Sequence, residues 1–548
     1  MSFAGASRRP SSWRAALVGA IVAALATLPG LGVGTLWDNS ETVYGEVARE
    51  ILLYGDPIVM HLNARPWFVQ PPLYFWIAAF SAKLFGVSAF SLRLPSALAT
   101  IGMGAFVGLC AGRLVSLRAA VFCSVILSTT LMQAVVGRLA IMDALLNLAV
   151  TVTVFGAFAA LRTGRALYWY GASIAAGFGV LAKGPVALVV PVLIIGAWAF
   201  WERRSAGSVR MPVLRWWLGA LLCLELIDLP WATLVARAAG PHALAVLLGH
   251  YTVGRYVGAI ENQTGPIWYY LPVVILGFFP WSAFLVPALV HAYRRLREPQ
   301  GSLQRLCVAW AIVPFVFFSF AQTKLPNYIA LVLPALALLV AIWFDDIVEQ
   351  RDRRVALAWA ALVPVTIGVL GIAIRLFSQS NRLSADLHTI FGDLTWLGLT
   401  TLTGSILCFV LLTRKRTAVF APAALAAASL ASMFIIAFVA EPHAEVFKPI
   451  PKLAAAIDRE RRSGDVVTIW GVAGSYALEF YTRPRVLQLN WRDFNLPRYE
   501  QSAALCTAPR AFLVTSRKLS LPTYGRRRRE LAHEGGDVLY LYDGRPCG

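Results

Sequence analysis

The sequence predicts an all-α polytopic membrane protein of about thirteen transmembrane helices with a small C-terminal α/β domain outside the cytoplasm. Three observations carry this. The 548 residues are 58% hydrophobic and only 14% charged, with a mean hydropathy of +0.65, and a soluble domain of that make-up would expose too much apolar surface. Apolar runs of membrane-spanning length recur from residue 15 to residue 439. After about residue 440 short β-type runs alternate with amphipathic ones, the pattern of an α/β unit.

At roughly 20 apolar residues per span, the helices are expected at 15–35, 93–112, 119–136, 143–161, 167–182, 185–201, 216–236, 270–292, 306–321, 326–344, 355–374, 394–412 and 418–439. The first reads as a retained helix, since no convincing small-residue cleavage site follows it. The net charge of +20 comes from short basic clusters between spans: Arg8/Arg9/Arg14, Arg113/Arg118, Arg162/Arg165, Arg203/Arg204/Arg210/Arg215, Arg294/Arg295/Arg297/Arg305, Arg351/Arg353/Arg354 and Arg414/Lys415/Arg416. They occupy every second loop, which suits anionic headgroups and not nucleic acid. The positive-inside rule then puts the amino terminus in the cytoplasm and residues 36–92, 237–269 and the tail outside. The expected domains are 1–440 in the membrane and 441–548 beyond it.

The first outer loop, 36–92, carries its own helical signals. Within 41–54, Tyr44, Val47, Ala48 and Ile51 share one face and Glu46, Arg49 and Glu50 another, as in a helix lying in the membrane interface. Pro71-Pro72 opens a second stretch from Leu73 to Phe85, rich in Tyr, Phe and Trp as interfacial segments are. In the tail, 450–462 reads as an amphipathic helix and Tyr476–Tyr481 as a helix, with strands at Val466–Trp470, Val486–Leu489, Ala511–Thr515 and Val538–Tyr542. Cys110, Cys123, Cys223, Cys307 and Cys408 lie in apolar segments without ligand spacing and read as packing residues. Cys506 and Cys547 lie in the polar tail, where an oxidising compartment would allow a disulfide.

Charge is scarce outside the basic loops, so the isolated polar groups on the outer side stand out. Asp38 and Glu41 open the helix at 41–54; Asp-x-x-Glu there is equally the pattern of a helix start, and the two roles can coexist. Asp143 lies in the short outer turn Gly137–Asp143, as a second acid on the same side or as a helix-start residue paired with Arg138. Two acids at one outer cleft are what a transferase needs to orient and deprotonate an acceptor. Lys183, Arg255 and Lys324 run against the positive-inside trend; each alone would snorkel to headgroups, whereas three together suit a phosphate that is held and then leaves.

Several local patterns appear together in order. They are Glu41-Thr-x-Tyr44-x-Glu-x-Ala-Arg-Glu50, Pro71-Pro72-Leu-Tyr-Phe-Trp76, Lys83-Leu-Phe-Gly-Val87, Arg93-Leu-Pro95, Arg138-x-x-x-x-Asp143, Lys183-Gly-Pro185, Phe279-Pro-Trp281 and Lys324-Leu-Pro-x-Tyr328. As a set, covering the chain to about residue 345, they resemble the GT-C glycosyltransferases, in particular the bacterial aminoarabinose transferase and protein O-mannosyltransferase group. The resemblance implies a polyprenyl-phosphate sugar donor, an acceptor that is a lipid, glycan or protein, and no obligatory metal or cofactor, with a divalent metal left open. It points to Glu41 and Asp143 as the acidic pair, with Glu41 first and Asp143 or Asp38 second as the base that orients and deprotonates the acceptor, and to Lys183 and Arg255 beside the donor phosphate. Tyr44, Lys324, Tyr328 and Arg138 complete the expected substrate-binding set. The group's Asp-Glu pair is Ser40-Glu41 here. The aminoarabinose branch has Glu-Lys where this chain has Val69-Gln70 and arginine where it has Val43, which argues against lipid A aminoarabinose transfer. The implied activity is an inverting single displacement in a bacterial inner membrane. Transfer to protein Ser or Thr is a second reading, and a non-enzymatic lipid-carrier transporter a third; a transporter would tend to show repeated halves, and no repeat is visible.

Overall fold

The computed structural model describes residues 12–205, 208–258, 263–298, 300–349, 354–378, 385–470, 475–482, 486–489, 509–518, 527–534 and 536–543. Arg8, Arg9, Arg351, Arg353, Cys506 and Cys547 lie outside them, so the disulfide reading is not addressed. The chain divides into two compact units: residues 1–31, 68–77 and 93–440, and residues 32–67, 78–92 and 441–548.

The first unit is helical and identifies a multi-pass membrane protein. Among the described residues, nine helices are long and apolar enough to cross a membrane, or up to eleven if each of two bent pairs is one span. The thirteen-span expectation is therefore met only in its coarse form. Every expected span contains helix, but Ser12–Thr27 and Ala166–Lys183 fall outside that class. The first span was expected to run to residue 35 and ends at Thr27, where Pro29 and Gly30 follow and the carbonyls turn to another partner. Small residues then let helices meet closely: a Cβ on Gly108 would lie 2.4 Å from the Ala15 carbonyl oxygen, and one on Gly19 2.2 Å from that of Gly104.

Two expected straight spans are broken, at 57° between Leu117–Ser128 and Leu131–Arg138 and at 109° between Tyr270–Gly277 and Trp281–Arg295. The breaks satisfy each other. Leu131 N–H donates to the Phe279 carbonyl at 3.0 Å, and the Trp281 indole donates to the Thr129 hydroxyl at 3.1 Å. Broken backbone inside a membrane needs such partners, and hydropathy alone cannot register them.

The basic loops meet one another. Arg305, fully buried, pairs with Glu202 at 2.8 Å; Arg162 reaches the same carboxylate at 2.9 Å, and Arg295 pairs with Asp346 at 2.6 Å. Arg118 bonds Asp345, and Glu349 at 2.7 Å. One carboxylate thus serves two of the predicted inner loops, so their positive charge is partly neutralised where they pack.

In the second unit, helix Glu41–Tyr54 is followed by a two-strand hairpin, β1 (His61–Leu62) and β2 (Arg65–Pro66). The expected apolar face is buried, with Val47 and Ala48 inaccessible. Its acidic face is buried as well: Glu46 holds Arg49 at 2.5 Å and Glu50 accepts Ala64 N–H at 3.0 Å. Both the apolar and the acidic face of this helix are therefore buried. A five-stranded sheet has the order β4-β3-β5-β7-β6, with β3 (Val466–Trp470), β4 (Val486–Leu489), β5 (Arg510–Ser516), β6 (Arg527–Glu534) and β7 (Asp537–Asp543). β4, β3 and β5 are parallel; β7 and β6 are antiparallel additions. Leu453 and Ile457 of helix Pro449–Glu460, together with Leu478 of helix Ser475–Thr482, share a core with Val467, Phe512 and Leu539. β6 escaped the sequence reading because it is an edge strand dominated by Arg, Glu and His, with Leu531 and Ala532 its only apolar residues and no buried alternate face, a composition that protects edges.

Candidate active site

Asp143 and Lys183 lie at matching ends of neighbouring helices. Asp143 is the first residue of Asp143–Thr163, and Lys183 the last of Ala166–Lys183. An acid in a first turn and a cation in a last turn both complement the helix dipole. Asp143 is 3% exposed, and Lys183 Nζ lies 2.5 Å from its Oδ1. The residue at the N-cap position is Met142, so Asp143 is not itself the cap. Gly184 ends the lysine's helix at φ +81°, a conformation that favours glycine, and its N–H closes on the Val180 carbonyl at 2.7 Å. This turn aims Lys183 and releases the chain into Pro185 and the next helix.

Tyr328 links Lys183 to Arg255. The ammonium lies 4.9 Å from the Tyr328 ring centroid, and Arg255 Nη1 donates to the Tyr328 hydroxyl at 3.4 Å. Tyr328 is carried by the 3-10 turn Pro326–Val332, and Arg255 by the short helix Gly254–Val257. Their segments are tied by backbone bonds from Gln322 to Tyr256 (3.0 Å), Thr323 to Arg255 (3.1 Å) and Lys324 to Gln263 (2.8 Å). The Lys324 ammonium is buried and donates to the Ala321 carbonyl. Four expected site residues are therefore brought into one contact chain, Asp143–Lys183–Tyr328–Arg255, with Lys324 beside it through the backbone. Cations outnumber carboxylates among them, as binding a phosphate requires.

Arg138 is placed differently. Its guanidinium donates to the carbonyls of Thr27 (3.0 Å), Pro29 (2.8 Å) and Gly30 (3.1 Å), capping the end of Ser12–Thr27. That use of its donors fits a structural clamp.

Asp38, Glu41 and Tyr44 belong to the second unit. Glu41 is fully buried and accepts Trp37 N–H at 3.0 Å, while the Ser40 cap position makes no side-chain hydrogen bond. Asp38 Oδ1 accepts from the Thr42 hydroxyl at 3.1 Å and from Ala477 N–H at 3.0 Å, so it joins two helix starts. Tyr44 meets Trp67 edge-on, with ring centroids 6.5 Å apart. Sequence reasoning missed Glu445, Lys448 and Tyr481. Glu445 takes the Thr35 N–H and hydroxyl, each at 2.8 Å; Tyr481 takes Leu36 N–H at 2.7 Å; Lys448 lies 4.0 Å from the Trp37 ring centroid. Some 400 residues separate the partners, so no local spacing could have revealed them. Burial, the largest effect, pushes the Tyr481 phenol up to about 12, which keeps it neutral. Among the described residues no three His, Cys, Asp or Glu side chains are grouped so as to hold a metal ion.

The arrangement of helices and sheet has a close counterpart. The crystal structure of ArnT from Cupriavidus metallidurans bound to undecaprenyl phosphate matches with a TM-score of 0.79, covering 96% of this chain and 97% of that one at 20% identity. The apo structure of the same protein matches with a TM-score of 0.80. The chain has the ArnT-like GT-C fold. Residues 69–231 match the family model described as dolichyl-phosphate-mannose-protein mannosyltransferase. An undecaprenyl phosphate-alpha-4-amino-4-deoxy-L-arabinose arabinosyl transferase of Shewanella sediminis is 33% identical over 59% of this chain and 58% of its own length. One of the same description from Erwinia tasmaniensis is 32% identical over 65% and 64%. The match thus spans about three-fifths of these curated relatives. The resemblance read from the local motifs is shown by all three comparisons.

Proposed function

We propose that this protein is a glycosyltransferase of the bacterial inner membrane that moves a sugar from a polyprenyl-phosphate donor to an acceptor on the outer face by one inverting displacement. The contact chain Asp143–Lys183–Tyr328–Arg255 is the observation that carries the reading. Lys183 and Arg255 take the donor phosphate, with Lys324 adding charge and Tyr328 separating the two cations. As Lys183 exchanges Asp143 for phosphate, the Asp143 carboxylate becomes available to accept the acceptor's proton. The acceptor oxygen or nitrogen attacks the anomeric carbon, the bond from that carbon to the phosphate oxygen breaks, and the lipid phosphate leaves as an anion held by the cations. Asp143 is the preferred base. Glu41, sealed against Trp37 N–H, and Asp38, shared between two helix starts, are assigned to holding the outer loop, with Tyr44 beside it. Arg138 drops from the phosphate-binding set because its donors serve carbonyls. No obligatory cofactor is assigned. The amino terminus is assigned to the cytoplasm and residues 441–548 to an extracytoplasmic α/β domain.

The relatives' printed names supply the donor class, an undecaprenyl phosphate-linked sugar. The match to a protein mannosyltransferase model supports a second acceptor reading, a protein Ser or Thr. The test uses the purified full chain in lipid nanodiscs with short-chain polyprenyl-phosphate pentoses and hexoses. Release of lipid phosphate coupled to sugar transfer is expected, with Asp143→Asn slower by about 10²–10⁴. Donors that cross a vesicle bilayer intact, without release of lipid phosphate, would make the protein a transporter.

A further inference from the structure

A cleft of about 200 Å³ runs between helices Ala89–Leu114, Asp143–Thr163 and Ala166–Lys183, and all of its lining residues belong to the first unit. Its wall is apolar. Phe106 and Phe155 meet edge-on with ring centroids 6.2 Å apart, and Ala159 and Ala172 line the cleft with them. Two glycines shape it. A Cβ on Gly156 would lie 3.2 Å from the Tyr168 carbonyl oxygen and 3.1 Å from the Ala172 Cβ, so this glycine lets two of the helices close up. A Cβ on Gly171, by contrast, would meet nothing within 4 Å, and Leu167 one turn earlier is 79% exposed. The cleft is therefore open on that side. An apolar wall with nothing against it forfeits dispersion contacts, and in a membrane the available filler is a hydrocarbon chain.

One lining residue is charged. Arg113 stands in the last turn of its helix, and Phe106, two turns before it, lies about 10 Å deeper. Among the described residues the Arg113 guanidinium has no hydrogen bond or ion pair, and the residue is exposed. Other arginines of the basic loops are taken: Arg118 by Asp345 and Glu349, Arg162 and Arg305 by Glu202, Arg295 by Asp346, and Arg210 by the Thr163 carbonyl. Snorkelling at a helix end accounts for an exposed arginine. It does not account for an apolar cleft that starts at the arginine and descends into the hydrocarbon layer. That combination fits an anionic head above an acyl chain.

The cleft also faces the other leaflet from the Asp143–Lys183 pair. Asp143 begins one helix, whereas the cleft takes Val152 to Ala159 from its second half; Lys183 ends the next helix, whereas the cleft takes Leu167 to Ala172 from its start. We propose that this cleft binds one anionic glycerophospholipid of the cytoplasmic leaflet, with its phosphate at Arg113 and one acyl chain along Phe106, Phe155 and Ala172. The site is independent of sugar transfer, and only the name of the leaflet rests on the assigned orientation.

The probes are dioleoyl phosphatidylglycerol and dioleoyl phosphatidylcholine, which share their chains and differ in net charge. Each is titrated into the delipidated full chain in detergent and read by native mass spectrometry. The first phosphatidylglycerol should bind wild type about fivefold more tightly than the first phosphatidylcholine, the factor expected of one cation near the surface. Arg113→Gln should remove that preference and leave phosphatidylcholine unchanged. Arg215→Gln, which deletes the same charge at a residue that does not line the cleft, should keep it. Gly171→Phe puts a ring into the open side and should weaken the first molecule of both lipids about tenfold. Phosphatidylglycerol should also raise the unfolding midpoint of wild type more than that of Arg113→Gln. Equal binding of the two lipids by wild type, or a preference that survives Arg113→Gln, would overturn the proposal. Unchanged binding in Gly171→Phe would remove the lipid from this cleft. Undecaprenyl phosphate that outcompetes phosphatidylglycerol for the Arg113-dependent site would overturn it too, by giving the cleft to the donor's lipid. A chain that shows the Arg113-dependent preference yet transfers no sugar would sink the glycosyltransferase reading alone.

Discussion

Lys183 and Asp143 form an ion pair of 2.5 Å between the last residue of one helix and the first of its neighbour, both largely shielded from solvent. A shielded pair is worth less than the cost of breaking it, because the survivor is left charged without compensation. Lys183→Met and Asp143→Asn each remove one partner. Lys183→Met should destabilise by about 3–5 kcal/mol, and the double variant should recover much of that loss while remaining inactive. Thermal unfolding and transfer measured on the same nanodisc samples check both halves. Recovered activity in the double variant would remove Asp143 from the chemistry.

Arg255 is held by its contact to the Tyr328 hydroxyl and by the backbone bond from Thr323. A planar guanidinium can give a phosphate two parallel bonds that an ammonium cannot. Arg255→Lys should therefore weaken donor titration by about tenfold, equally for short and long lipid tails, since the lost contact is to phosphate. Unchanged curves for Arg255→Lys and for Lys183→Ala would place the phosphate elsewhere, with Lys324 next.

Glu41 and Asp38 separate catalysis from holding. Glutamine keeps a carbonyl to accept Trp37 N–H, so Glu41→Gln should transfer sugar within a few-fold of wild type, and Glu41→Ala should cost about 1 kcal/mol of stability. Asp38→Ala loses bonds to Thr42 and to Ala477 and should cost about 0.5–2 kcal/mol. A loss of about 10² or more in Glu41→Gln made at normal levels would return the base role to Glu41.

Glu50 carries a pH dependence. Burial, foremost, with a contribution from Glu46, raises its carboxyl from 4.5 to about 7 against the lowering effect of Ala64 N–H. The folded state therefore binds this proton more tightly than the unfolded one. Its contribution to stability is fully present below about 4.5 and is lost as pH rises through about 7. Glu50→Gln should flatten that part of the profile and gain stability relative to wild type at pH 8, read as unfolding midpoints between pH 5 and 8. An unchanged profile would mean that the carboxylate stays solvated.

Topology is testable without activity. Because basic clusters mark alternate loops, a reporter after Gly548 should be active only outside the cytoplasm, and reporters near Arg204 and Arg414 only inside. A cytoplasmic carboxyl terminus would overturn the assigned orientation.

The sequence by itself determined where helices and most strands form. Pro71-Pro72 before Leu73–Phe85 and the continuous β-branched run of Val466–Trp470 are local signals that became the expected elements, and the hydrophobic runs marked where helix forms, though two of the spans bend. The outer acids and the cations Lys183, Arg255 and Lys324 were legible because charge is rare in such a chain and each breaks a regular pattern. Only tertiary structure decided which of them meet. It set Lys183 on Asp143, turned Arg138 to the carbonyls of residues 27–30, and bent two spans around Phe279 and Thr129. It also placed Lys448 beneath Trp37, some 400 residues earlier in the chain. The physical reason is one of range. Helix and strand periodicity are written in neighbours a few residues apart, whereas a buried charge finds its partner through the packing of whole elements, and that pairing leaves no periodic mark in the sequence.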